Sequence, residues 1–300
     1  MSQTLVVPVP ALRRIIAGAA SAPSVRNTKP WRWRASADVL ELFADRSRRL
    51  PSTDPDGRDM VISCGAALHH AQAIAAALGW SATVTRRPDP ERPDLLARLD
   101  LASGTPAPGG DAVLAAVEQE GADPRPPASR PVPREHLEHL AAAATTWGTI
   151  GRALTDRDER SRVDRLISRA ATLQGQDRAA VSEQEAWIAR ATPEGFAPPG
   201  PVDGLVMLLD RDDTPESWLR AGEGLSTMWL AAAEEGMSIV PLPQVIEVTQ
   251  TREALRAEVL DGLGHPLLLV GVGWQPTGRT DLQQSPLRVR RPDPHLAHGH

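Results

Sequence analysis

The chain has 300 residues, a net charge of -5 and a hydrophobic content of 41%, enough for a sizeable core in one large domain or two modules. A pI near 5.9 excludes a nucleic-acid protein that works through a strongly basic face. Cys64 is the only cysteine, which excludes an intrachain disulfide and makes a reducing compartment the default. Lys29 is the only lysine and tyrosine is absent, so the eight Trp residues supply most of the aromatic packing. No charged segment followed by a long apolar stretch opens the chain, and no apolar run has the length of a membrane span. The expectation is a soluble cytoplasmic protein.

The elements alternate in the first part of the chain. Residues 11–20 read as a short helix, 33–44 as a strand or hairpin, and 59–78 as a longer helix. Residues 81–86 and 95–102 read as strands, and a short helix is expected from Asp111. The proline-rich run from Gly121 to Pro133 is the best connection between two halves. Pro133 is a good first helical residue. A strand follows at 150–154, and then a charged helical region at 156–190 that Asp156 and Glu159 open as a capping box. After a Gly/Pro loop come a strand at 205–209 and a helix started by Thr214-Pro215-Glu216 and ended by Gly236. The chain closes with a strand at 238–240, a helix at 251–260 and a buried central strand at 266–272.

A degenerate repeat links the two parts. Gly65, Leu68, Ala75, Ala76, Gly79 and Ser81 reappear at the same internal spacing as Gly222, Leu225, Ala232, Ala233, Gly236 and Ser238. Both copies read as a helix that ends at a glycine and turns into a strand. Convergent Ala-rich helix chemistry is the plain alternative, but the repeated helix–loop–strand context favours duplication. Duplication would make one chain imitate a homodimer.

The most informative stretch is Ala22-Pro-Ser-Val-Arg-Asn-Thr-Lys-Pro-Trp31, a compact polar loop between a helix and a strand. It can offer hydroxyl, amide and backbone N–H groups to one flat polar ligand. The string closely resembles the loop of nitroreductase-like flavoproteins that lies against FMN. Further similarity is carried by Asp56-Gly57-Arg58 before Cys64-Gly-Ala-Ala-Leu68, Arg130-Pro-Val-Pro133, Trp218-Leu-Arg-Ala-Gly-Glu223, Pro241-Leu-Pro-Gln244, Gly264-His-Pro266 and Arg290-Arg-Pro292. The pattern is similar to the Acg-type branch, in which one polypeptide carries both halves.

This resemblance implies an α+β nitroreductase-like fold with two related halves, 1–120 and 121–292, and a tail at 293–300. It implies an FMN-dependent oxidoreductase acting on a small organic substrate, with NAD(P)H as a candidate electron donor. The alternative is a flavin-binding or flavin-sequestering protein without turnover, or a member that has lost FMN. The chain would be a monomer with pseudo-two-fold symmetry or a loose homodimer, without nucleic-acid or membrane partners. Ser24, Arg26, Asn27 and Lys29 would serve the flavin ring and ribityl chain, backbone near Pro241 and Gln244 the pyrimidine edge, and Arg290 and Arg291 the phosphate. Lys29 stands where the family often has Gln. Its charge suits flavin N1 and O2, which gain electron density on reduction. Paired arginines suit a phosphate, although Arg288, Arg290 and Arg291 also read as a solvated terminal charge cluster.

Glu120 and Asp123 depart from the family pattern, placing acids where positive charge is expected and leaving only Arg125. Gly271-Val-Gly273 lacks the third glycine of a dinucleotide fingerprint. His69-His70 and the His136/His139 pair lack a metal-ligand framework and read as core or solvated histidines. His295, His298 and His300 belong to the tail. Cys64 reads as a small buried residue at the start of a helix. No catalytic residue is assigned.

Overall fold

The structure, a computed structural model, describes residues 7–119, 130–191 and 203–275. It is an α+β protein built on two four-stranded antiparallel sheets. The first part holds α1 (Val9–Ala19), β1 (Trp31–Ser36), β2 (Val39–Ala44), α2 (Arg58–Ala77), β3 (Trp80–Arg86), β4 (Leu95–Ser103) and α3 (Gly110–Gln119). The second holds α4 (Arg134–Ala144), β5 (Ile150–Ala153), α5 (Arg157–Gln176), α6 (Arg178–Ala191), β6 (Gly204–Asp210) and α7 (Pro215–Glu234). It ends with β7 (Met237–Pro241), α8 (Gln244–Glu247), α9 (Thr249–Glu258) and β8 (His265–Trp274).

The sheets run β1-β2-β4-β3 and β5-β6-β8-β7. Each has a register shift near the end of a central strand, at Leu42/Phe43 in one and Leu208/Leu209 in the other. The sheets differ in what covers them. In β3, exposed and half-buried residues alternate, because one face of its sheet meets water. All of β6 is buried: Val206 and Leu208 join the main core, while Leu205, Met207 and Leu209 pack into a second core with α5, α8 and α9. That double covering is why 266–272 reads as a continuous apolar run.

Helices α2 and α7 cross at the centre. An added Cβ at Gly65 would lie 2.0 Å from Leu219 O, and one at Gly222 would lie 1.9 Å from Ile62 O. Only glycine permits this approach. By length and composition alone, with a mean hydropathy of 1.3, α2 matches a membrane span. In the fold it is a core helix, 78% buried and set against α7.

Several local expectations change. The charged region is two helices broken at Asp177, whose side chain accepts from the N–H groups of Ala179 and Ala180. Asp156 caps α5, but the Glu159 side chain turns to Arg152 at 2.6 Å, so the box is half made. The start of α7 is as read, with Thr214 the cap and Glu216 in the first turn, and Ser217 completes a capping box with Thr214. Pro133 caps α4 from outside. Gly271 and Gly273 lie within β8, not in a turn. Cys64 is fully buried in the body of α2, not at its start; burial pushes its thiol up, and the thiol donates to Pro30 O at 3.2 Å.

Among the described residues, three ion pairs tie the first part of the chain to the second, each with an arginine from the first and an acid from the second. They are Arg26–Glu247 at 2.6 Å, Arg58–Asp213 at 3.6 Å and Arg86–Glu223 at 2.7 Å.

Candidate functional site

The 22–31 loop is held from several directions. Ala22, Val25, Pro30 and Trp31 are buried and anchor it. Val25 N donates to Ser63 Oγ of α2 at 3.0 Å, and Ser24 Oγ accepts from Lys29 N at 3.1 Å, closing the loop on itself. Arg48 donates to Lys29 O at 3.1 Å. Within this frame Arg26, Asn27 and Lys29 all have left-handed backbone, with φ of 54°, 54° and 46°. Such residues cost about 1–3 kcal/mol each and persist only where their surroundings fix them; asparagine tolerates the region best. The Asn27 side chain belongs to an exposed residue, while Ser24 and Lys29 are half-buried beside it.

Arg26 points inward. Its Nε and Nη2 reach the two oxygens of Glu247 at 3.3 and 2.6 Å, a forked pair with both side chains nearly buried, at 9% and 4% exposure. Gln174 of α5 donates to the same carboxylate. Behind Glu247 lie two further buried acids. Asp54 caps α2 by accepting from the N–H groups of Asp59 and Met60 at 3.1 and 3.0 Å. Burial nonetheless raises its carboxyl above the usual range, against the pull of those N–H groups and Arg58. Burial, reinforced by Glu247 and Asp54, holds Asp59 well above the carboxylate range. Of the two, Asp59 is pushed further toward its neutral form beside Glu247. A cavity of about 10 Å³ adjoins Val25, Thr28, Asp54, Asp59 and Glu247, the size of one water molecule. A wider polar cleft of about 260 Å³, lined by Thr53, Gln174, Asp177, Glu247 and Gln250, opens on the other side of Glu247.

The structure thus brings the 22–31 loop to the segment after β7. Pro241 pairs with Val270 in the sheet, and Gln244 opens the short helix α8 whose last residue is Glu247. Asn27 is exposed; Val25 and Thr28, not Asn27, line the cavity beside the loop. Arg290, Arg291, Glu120, Asp123 and Arg125 lie outside the described residues. Sequence reasoning missed Glu247, Asp54 and Asp59. Glu247 lies 221 positions from Arg26, and no motif or spacing connects them.

A second polar cluster sits between α2 and α7. The Nδ1 atoms of His69 and His70 each lie 2.6 Å from Ser226 Oγ. Thr227 Oγ1 donates to Glu223 O at 2.9 Å and accepts from Trp147 Nε1 at 2.7 Å. The His69 Nε2 contact to Thr227, 3.3 Å, is therefore a donation, so His69 Nδ1 accepts from Ser226 and His70 Nδ1 donates to it. Burial lowers the two rings to about 4 and about 3, with His69 adding to the effect on His70. Both are neutral core histidines. His136 and His139 face Glu235 at 2.5 and 3.4 Å. Among the described residues no group of three or more His, Cys, Asp or Glu is arranged to hold a metal ion.

No protein-family profile matches the chain. Among known proteins, the Mycobacterium tuberculosis H37Rv protein named "Putative NAD(P)H nitroreductase Rv3131" is 33% identical over 308 residues, covering 92% of this chain and 89% of that one. "Putative NAD(P)H nitroreductase acg" of the same strain is 27% identical over 311 residues, covering 93% of each. Among solved structures, an FMN-bound nitroreductase of Bacteroides fragilis matches 59% of this chain and 95% of its own, with a TM-score of 0.42 at 12% identity. The chain belongs to the nitroreductase-like family, and its relatives include proteins of the Acg type.

The fit of a flavin can be judged on the loop itself. The water-sized space behind it does not take a ring system, and Arg26 is committed to Glu247. The outer side offers the exposed Asn27 amide with Ser24 and Lys29 alongside, a donor and acceptor set that suits the edge of a flat heterocycle. These groups are of the kind a flavin edge would need, and they are the part of the loop left open to a ligand.

Proposed function

We propose that the chain is an FMN-dependent oxidoreductase of nitroreductase type, moving a hydride or electrons between reduced flavin and a small organic substrate, with NAD(P)H as donor. The observation that carries this reading is the 22–31 loop. Its string matches the family's flavin loop, and its left-handed backbone is fixed so that Asn27 faces outward. The names of the 33%-identical relatives support the same reading. Bound FMN supplies the hydride chemistry. Ser24, Asn27 and Lys29 hold the ring and ribityl chain, the backbone from Pro241 to Gln244 meets the pyrimidine edge, and Arg290 and Arg291 take the phosphate. Arg26, included with them on sequence grounds, acts instead through Glu247.

A second reading, flavin binding without turnover or loss of the cofactor, is favoured by Glu120 and Asp123 and by the withdrawal of Arg26 into its ion pair. Purification and FMN titration test the first reading. A flavin spectrum at one FMN per chain, bleached by NAD(P)H and restored by a nitroaromatic acceptor, is expected. A yellow protein that NAD(P)H does not bleach leaves the sequestering reading, and a colourless protein that does not titrate leaves the loss of the cofactor.

The same proposal divides the chain into duplicated halves, 1–120 and 121–292, that imitate a homodimer within a cytoplasmic monomer or loose dimer. What supports it is the shared strand order, the matching register shifts and the mutual approach of Gly65 and Gly222.

A further inference from the structure

We propose that Glu247 is a positioning residue for the 22–31 loop: its carboxylate grips Arg26 and so fixes the left-handed backbone that turns Asn27 outward. The inference rests on the flavin reading for its ligand and on the geometry for the rest. Arg26 sits at the first of the three left-handed positions, and among the described residues its guanidinium makes the loop's side-chain bond to an element from the far end of the sequence. The turn bonds from Asn27 N to Ser24 O and from Thr28 N to Val25 O close the backbone around Arg26, and the grip of Glu247 adds the tertiary anchor on its side chain.

The Glu247 carboxylate is met from several elements. Arg26 faces it from the loop, Gln174 from α5 and Asp59 from α2, with Asp54 and Arg58 next in line. Burial, with Glu247 and Asp54 alongside, pushes the Asp59 carboxyl well above the usual range, which favours its neutral form. As pH rises and Asp59 ionises, a second negative charge enters the same dry space and works against the hold on the loop. Asp59→Asn imitates the neutral acid and removes that weakening.

Hydrogen–deuterium exchange across residues 24–30, read beside FMN titration, tests the proposal. Glu247→Ala should speed exchange in this segment roughly tenfold or more, since it leaves Arg26 nearly buried and unpaired, and should weaken FMN to a comparable degree. Arg26→Gln, which cuts the same contact from the loop side, should do likewise if the first variant fails to fold. The parent should lose protection as pH rises, relative to Asp59→Asn compared at each pH, a difference that a merely structural contact would not produce. Faster exchange in Glu247→Ala than in a parent that binds no FMN supports the positioning role and sinks only the flavin reading. Unchanged exchange in folded Glu247→Ala or Arg26→Gln, or identical pH profiles for parent and Asp59→Asn, overturns the proposal.

Discussion

Gly65 and Gly222 face each other where α2 crosses α7, and each would drive a Cβ into a backbone carbonyl of the other helix. The carbonyls belong to Leu219 and Ile62, each three residues before the opposing glycine. The obstacle is backbone, which cannot swing aside like the end of a side chain. Gly65→Ala or Gly222→Ala should therefore destabilise by about 3 kcal/mol, the upper range for overpacking. The double variant should lose less than the sum, since both changes part the same crossing. Urea unfolding of the three variants measures this; an additive pair of small losses would mean that the helices slide apart freely.

The buried pair Arg86–Glu223 gives a second prediction. Glu223 is fully buried, and burial raises its carboxyl against the pull of Arg86 and the Gln72 amide. Arg86→Ala strands that carboxylate and should cost about 3–5 kcal/mol, the range for breaking a buried pair from one side. Glu223→Gln, which keeps the shape and the amide contacts, should cost less. Chemical denaturation that ranks them in the opposite order would show that Glu223 is neutral in the fold.

Acid should unfold the protein partly through His69 and His70. Their folded values, about 4 and about 3, lie below the ordinary 6.5, so the unfolded chain binds these protons first. Their contribution is complete above about pH 6.5 and is lost as pH falls toward the folded values. His69→Gln should flatten the acid limb of stability by about 2–3 kcal/mol. A series of urea midpoints across that window reads it, and an unchanged limb would place a charged ring in the core.

Asn27 is exposed at φ 54°, which makes Asn27→Gly the cleanest probe of the loop. Glycine accepts that backbone and removes only the amide. FMN affinity should fall roughly tenfold, the worth of a hydrogen bond or two, with no loss of melting temperature. Asn27→Leu should lose binding as well, with a small strain penalty. Equal FMN binding in both variants and the parent would leave the loop a structural feature of the family.

Much of the fold was legible because local chemistry and tertiary packing agree. The Thr214-Pro215 start of α7, the glycine stops at Gly79 and Gly236 and the apolar run of β8 all follow from spacing and residue type. The break at Asp177 was hidden because an aspartate on a charged helix reads the same whether it faces water or caps the next helix. The short helix α8 offers too few residues for a period to show. At the site, the loop was legible as a string, and Trp31 is packed as an anchor should be. Its partner was not. Glu247 is one acid among many on a helix surface until the fold buries it, and only the fold brings Asp59 and Asp54 beside it.

The direction of the three ties between the two parts of the chain has a consequence for assembly. Arg26, Arg58 and Arg86 all come from the first part, and Glu247, Asp213 and Glu223 all from the second. Two identical subunits would have to carry both members of each pair and would make every contact twice. A single chain can place the base on one side and the acid on the other. A first part alone would leave these three guanidinium groups without their acids, and a second part alone would leave three acids without their arginines. A truncated fragment therefore has the complement of these charges only in the missing piece.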